Sequence, residues 1–134
     1  MSFIIGLDHV TIQIDEGGEA LTDALHFYVD LLGLAPLGRP ANTDNGRPGA
    51  WLQCGPAQQL HIITGAGATA ENRRSRRHLA FRVSDLERLR KRLVAAGVEI
   101  LAGNRFPGQE RFFVRDPFGN RLEFVERTSG RDTA

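Results

Sequence analysis

The sequence predicts an α+β fold built from two β-α-β-β-β modules in tandem, and three observations predict it. An alternating apolar strand opens each half of the chain, at 7–14 and at 78–83. A helical stripe of apolar residues follows each opening strand. Shorter strand-like segments then close each half in the same order, so the chain reads as an internal repeat. With 134 residues, 41% apolar and 25% charged, the composition suits a globular chain of one domain rather than a disordered, collagenous or coiled-coil one. A single domain over 1–134 is expected, with module one at about 5–65, a linker at 66–77 and module two at about 78–127.

In the first strand, Val10, Ile12 and Ile14 share one face, and His9, Thr11 and Gln13 share the other. From Glu19 to Leu32, the residues Leu21, Ala24, Leu25, Tyr28, Leu31 and Leu32 form a helical stripe, which Gly33 is placed to end. A Gly/Pro/Asn-rich loop runs from Gly38 to Gly49. Ala50 to Cys54 and Leu60 to Thr64 then read as strands around a Gly55-Pro56 turn. Gly65 to Arg77 reads as a linker, Gly/Ala-rich at first and then carrying a run of arginines expected to be solvated beside a subunit contact.

The second half repeats the pattern. Leu79, Phe81 and Val83 alternate with His78, Ala80 and Arg82. Ser84-Asp85-Leu86-Glu87 fits a capping box with Ser84 as N-cap, ahead of a helix that ends near Gly97. Strands are expected at Val98 to Leu101, Glu110 to Arg115 and Arg121 to Glu126, the last two joined by the turn Asp116-Pro117-Phe118-Gly119-Asn120. The polar tail from Thr128 to Ala134 is expected to fray.

Composition excludes several classes of function. A formal net charge of +1 gives no global field for nucleic acid or an anionic membrane. No apolar run approaches the roughly 20 residues that span a bilayer, and the first residues lack the basic region of a secretory leader. Cys54 is the only cysteine, so neither an internal disulfide nor a Cys-based zinc cage is available. A cytoplasmic protein acting on a small molecule is expected.

Three of the four histidines fall at matched places in the repeat. His9 and His78 lie in the opening strands, while His61 in the last strand of module one corresponds to Glu123 in module two. In each strand the polar residue alternates with apolar neighbours. If the helices cover the apolar faces, all four side chains project from the uncovered ones. A two-fold relation between the halves would bring them together as a ligand set for a divalent ion such as Fe, Mn, Ni, Co or Zn. Two histidines and a carboxylate, with positions left open, suit a catalytic metal. Gln53, Arg111 and Phe113 have the parity to line the same cleft, with Arg111 placed to hold a substrate anion. His26 has no counterpart and is expected at the surface, and Trp51 in the core or an interface.

The segments Leu-Asp-His-Val-Thr-Ile (7–12), Phe-Tyr-Val-Asp-Leu-Leu-Gly-Leu (27–34), His-Leu-Ala-Phe-Arg-Val (78–83) and Phe-Phe-Val-Arg-Asp-Pro-Phe-Gly-Asn-Arg-Leu-Glu-Phe (112–124) resemble the vicinal oxygen chelate superfamily, over roughly residues 5 to 127. That superfamily includes glyoxalase I, extradiol dioxygenases, fosfomycin-inactivating thiol transferases and bleomycin-resistance proteins. The resemblance implies paired modules forming a curled mixed sheet around a metal-containing cleft, with the helices outside. It implies His9, His78 and Glu123 as metal ligands, and His61 as a fourth ligand or an acid–base group. Glyoxalase I carries a carboxylate where this chain has His61, and extradiol enzymes would lead one to expect a tyrosine at Phe113. The implied activities are glyoxalase-like lyase or isomerase chemistry, extradiol-type ring opening, or fosfomycin-type thiol transfer. A metal-free small-molecule binder of the bleomycin-resistance type is the alternative. A homodimer is expected, since pairing would cover an open sheet edge.

Overall fold

The computed structural model describes residues 1–128, so the tail expected to fray lies, apart from Thr128, outside the described residues. Module one contains β1 (His9–Ile14), β2 (Ala35–Leu37), β3 (Gly49–Gln53) and β4 (Gln59–Thr64), in the spatial order β1-β4-β3-β2. Module two contains β5 (His78–Arg82), β6 (Leu101–Ala102), β7 (Gln109–Arg115) and β8 (Arg121–Arg127), in the order β5-β8-β7-β6. In both sheets the first strand runs parallel to the last, and the other neighbours are antiparallel. The repeat is therefore present strand for strand. The two sheets stay separate and open, with β1 and β5 each at an edge.

Alternation puts one face of each sheet into a shared core. Ile12, Ile14, Leu52, Leu60 and Ile62 from module one cluster with Phe112, Val114, Leu122 and Phe124 from module two. Phe27, Tyr28, Leu86 and Leu93 from the helices complete this cluster. The helix expected over 19–32 begins as α1 (Ala20–Leu25) and continues as a π-helical stretch, His26–Leu31. Within that stretch the consecutive Phe27 and Tyr28 are both buried. Gly33, at φ +84°, ends it as expected, its N–H donating to the Val29 carbonyl at 3.0 Å.

Three elements differ from expectation. The segment between the modules carries a helix, α2 (Ala68–Arg73), with Ala68 and Asn72 buried. Its Gly/Ala composition reads as linker, but tertiary bonds hold it. Asp15 accepts from the Thr69 N–H at 2.9 Å and from its hydroxyl at 2.6 Å, and the Asn72 amide donates to the Gln13 carbonyl at 3.0 Å. Helix α3 (Leu86–Ala95) is capped by Asp85 rather than Ser84. The Asp85 carboxylate accepts from the Arg88 N–H at 3.0 Å, and Glu126 accepts from the Leu86 N–H at 2.7 Å. The strand expected at 98–101 shrinks to Leu101–Ala102, and Val98 and Ile100 pack against the core instead.

The turn at 116–120 joins the modules as well as β7 to β8. Asp116 accepts the Tyr28 hydroxyl at 2.6 Å across 88 residues of sequence, and the Asn120 amide donates to the Gln13 carbonyl at 2.9 Å. Arg115 donates to the carbonyls of Asn72, Ser75 and Gly119.

Candidate functional site

The register places the matched residues at equivalent points of the two sheets. In module one His9 pairs with Gln59, and His61 lies two residues further along β4, opposite Trp51. In module two His78 pairs with Arg121, and Glu123 lies two residues further along β8, opposite Phe113. Trp51 and Phe113 are thus counterparts. All six side chains belong to the faces left uncovered by the helices.

On module one the aromatic rings form a continuous stack. The Trp51 and His61 centroids are 4.5 Å apart at an interplanar angle of 6°, and His61 and His9 are 3.9 Å apart at 13°. Trp51, expected in the core or an interface, is half-buried and backs His61. The Asp8 carboxylate lies 2.8 Å from His9 Nδ1 and can only accept, which puts a proton on Nδ1 and leaves Nε2 as the nitrogen that an ion would take. Gln59 Oε1, 2.8 Å from His61 Nε2, holds the proton there and leaves Nδ1 free. Burial, with help from the neighbouring His9 and Arg39 and against the pull of Asp8, holds the His61 imidazole below its ordinary pKa. His61 is therefore biased toward the neutral form that can take a proton or bind an ion.

On module two His78 Nε2 meets Glu123 Oε1 at 3.1 Å. His78 Nδ1 lies 2.9 Å from the Arg76 carbonyl oxygen, which accepts only, so that nitrogen carries a proton. A proton on Nε2 makes this contact an ion pair with Glu123, and in its absence the imidazole and the carboxylate stand as adjacent ligands for a cation. This donor set, with Nδ1 held by a backbone carbonyl, fits a divalent ion. The other Glu123 oxygen accepts from Arg111 Nη1 at 3.3 Å, and Arg111 Nε donates to the Asn104 carbonyl at 2.8 Å. Phe113 packs edge-on against His78 at 5.2 Å.

The chain brings the four metal-type residues together as two pairs, His9 with His61 and His78 with Glu123. Among the described residues no three His, Cys, Asp or Glu side chains gather around one point. His9 and His78 both border an open cleft of about 720 Å³ between the opening strands. Of the expected lining residues, Arg111 and Phe113 stand beside the His78–Glu123 pair, while the Gln53 amide turns to the Gly55 carbonyl. His26 is exposed and pairs with Asp30 at 2.7 Å, as a surface histidine would. Asp8, Gln59 and the Arg76 carbonyl are contributors that the sequence did not single out. Each hydrogen-bonds to a ring nitrogen one or two residues away, a role open to most polar neighbours and so without a sequence signature.

The model of the Glyoxalase/Bleomycin resistance protein/Dioxygenase superfamily matches residues 6–124. No curated protein sequence matches the chain. Among solved structures, a glyoxalase family protein from Bacillus anthracis is 32% identical, with a TM-score of 0.80 over 95% of this chain and 98% of that one. A genomically encoded fosfomycin resistance protein from Listeria monocytogenes shares the fold at 18% identity and a TM-score of 0.70, over 94% of each chain. An antibiotic binding protein from a Streptomyces species does so at 19% identity and a TM-score of 0.70, over 95% of this chain and 99% of that one.

Proposed function

Since the chain belongs to the Glyoxalase/Bleomycin resistance protein/Dioxygenase superfamily, we propose that it is a metal-dependent enzyme acting on a small oxygen-rich substrate. The observation that carries this reading is the His78–Glu123 pair, an imidazole and a carboxylate 3.1 Å apart on the uncovered face, a spacing that suits neighbouring ligands of one ion. His9, His78 and Glu123 would hold the ion, and His61 would serve as fourth ligand or acid–base group. The ion would supply a Lewis acid for neighbouring substrate oxygens and for the negative charge that develops on them. Around it, Asp8 and the Arg76 carbonyl fix the tautomers of His9 and His78, Arg111 steadies Glu123, and Trp51 backs His61. The reaction is lyase, isomerase or ring-opening in type, because one scaffold hosts many chemistries.

Because no three metal-type side chains gather around one point within the chain among the described residues, a second copy would complete the set. The homodimer supplies His9 and His61 from one chain and His78 and Glu123 from the other. The unpaired edges of β1 and β5, beside which both opening histidines stand, support this reading.

Mixing two inactive variants tests both parts. His9→Ala and Glu123→Ala should each lose uptake of Fe, Mn, Ni, Co or Zn by calorimetry. Their mixture, unfolded and refolded together, should regain up to about half of the lost sites in the mixed dimers. Full metal uptake by either variant alone would sink the metal assignment. Loss in both with no recovery on mixing would place the site within one chain. A second reading, metal-free binding of a flat ligand, is favoured by the Trp51–His61–His9 stack. It predicts ligand affinity unchanged in His78→Ala and Glu123→Ala.

A further inference from the structure

The two modules treat a matched arginine differently. Extending the register of β6 with β7 by one same-face pair sets Gly103 opposite Arg111, and the same step in β2 with β3 sets Arg39 opposite Gly49. In each module an arginine therefore lies over a glycine on the uncovered face, with the two residues exchanged between strands. A Cβ on Gly49 would come within 2.8 Å of Arg39 Nη2, and one on Gly103 within 3.3 Å of Arg111 Nε. At Gly49 a Cβ would meet the Ile62 carbonyl oxygen as well as the guanidinium, and at Gly103 it would meet the Phe113 ring first, at 2.8 Å.

The partners of the two guanidiniums differ. Arg111 has a counter-ion in Glu123 at 3.3 Å and a carbonyl for Nε. In module one the position of Glu123 is taken by His61, which brings no negative charge. Arg39 donates through Nη1 to the Arg47 carbonyl at 2.9 Å, but Nε and Nη2 are shut off from solvent without a hydrogen-bond partner. Leaving two N–H groups of a cation desolvated and unpaired is costly. Those two nitrogens form the side-on edge of the guanidinium, whose parallel N–H bonds match two oxygens of a carboxylate or phosphonate. Arg39 also borders a cavity of about 340 Å³ lined by the apolar Leu25, Val29, Leu37 and Trp51 and, from the helical segment, by His26 and the acidic Asp30, with room for the carbon body of a small acid.

We propose that Arg39 is an oxyanion receptor, and that the ligand of this protein carries a carboxylate or phosphonate group bound by its Nε–Nη2 edge beside Trp51. Only the assignment of that group to the metal-chelated substrate rests on the function proposed above. The loop at 40–48 adjoins the arginine through the Arg47 carbonyl and includes Asp44 and Asn45 at φ +53° and +55°, a conformation that non-glycine residues adopt at a cost. An anion must displace what covers this edge in order to reach it.

The test uses the metal-stripped full-length chain, titrated separately with malonate and with methylphosphonate. Binding is followed by calorimetry and by the Arg39 Nε–H resonance in nitrogen-15 spectra. At least one anion should move that resonance to saturation, and the better of the two identifies the group. Arg39→Gln should abolish the binding, and Arg39→Lys, which keeps the charge but loses the fork, should weaken it about tenfold or more. His78→Ala should bind the anion as the unaltered chain does, so a failed metal site leaves this result standing. An Arg39 resonance unmoved by either anion, or equal affinity in Arg39→Lys, would overturn the proposal even if Arg39→Gln does not fold.

Discussion

Asp116 shows how much one buried carboxylate can organise. Its Oδ1 accepts from the N–H groups of Phe118 and Asn120, and its Oδ2 from the Tyr28 hydroxyl and the Asn120 amide. Burial pushes this carboxyl above its ordinary range, while the four donors pull it back. Asparagine would turn an NH2 group toward donors. Asp116→Asn should therefore lose about 2–4 kcal/mol, and Tyr28→Phe about 1–2 kcal/mol, in urea unfolding. Asp15 works in the opposite sense. The Thr69 hydroxyl, then the Thr69 N–H, holds its carboxyl below the ordinary 3.8. A lowered folded-state value means the ionised form stabilises the fold above the unfolded-state value, and the gain is lost as pH falls through the folded one. Asp15→Asn should accordingly lower the melting temperature at pH 7, with the deficit shrinking below pH 3.8; a deficit constant with pH would contradict this. At this scale the matched strand positions of His9, His61, His78 and Glu123 were legible from parity and the repeat, but their arrangement as two pairs rather than one set was not. Arg39 was not, since its place depends on a register carried past β2 into a loop. Trp51 was missed for a similar reason, as only the pairing of β3 with β4 reveals what lies beside it.

Among the elements, α3 gives the cleanest test of how a helix starts. The Asp85 carboxylate caps the Arg88 N–H, so Asp85→Ala should cost about 1 kcal/mol while Ser84→Ala leaves thermal stability nearly unchanged. Equal losses would restore Ser84 as the cap. Both residues suit the position chemically, and only the backbone decides between them. The opening strands and both main helices were readable because their apolar spacing is regular. Helix α2 was not, because Gly/Ala composition carries no periodic stripe and the bonds from Asp15 and Asn72 that hold it span 54 and 59 residues. The π-helical stretch, which carries the buried Phe27 and Tyr28, is likewise announced by no local preference.

For the whole molecule, the most exposed apolar surface is at the start of the chain. Phe3, Ile4, Ile5 and Leu7 are 70–102% exposed, leading into the free edge strand β1. Large apolar side chains grouped in this way mark a contact surface. Light scattering should give a dimer mass at micromolar concentration, and Phe3→Ser combined with Ile5→Ser should shift the population toward monomer. A monomer before substitution would contradict the shared site. Tandem duplication was legible because each half carries the same periodic signals. The relation between the halves was not, since it depends on the Tyr28–Asp116 and Gln13–Asn120 contacts, each made across the module boundary. The separation of His9 and His61 from His78 and Glu123 has a kinetic consequence if two copies share the work. Turnover would then require an encounter, and specific activity per milligram would fall on dilution below the dissociation constant of the dimer, making cellular abundance itself a control on the chemistry.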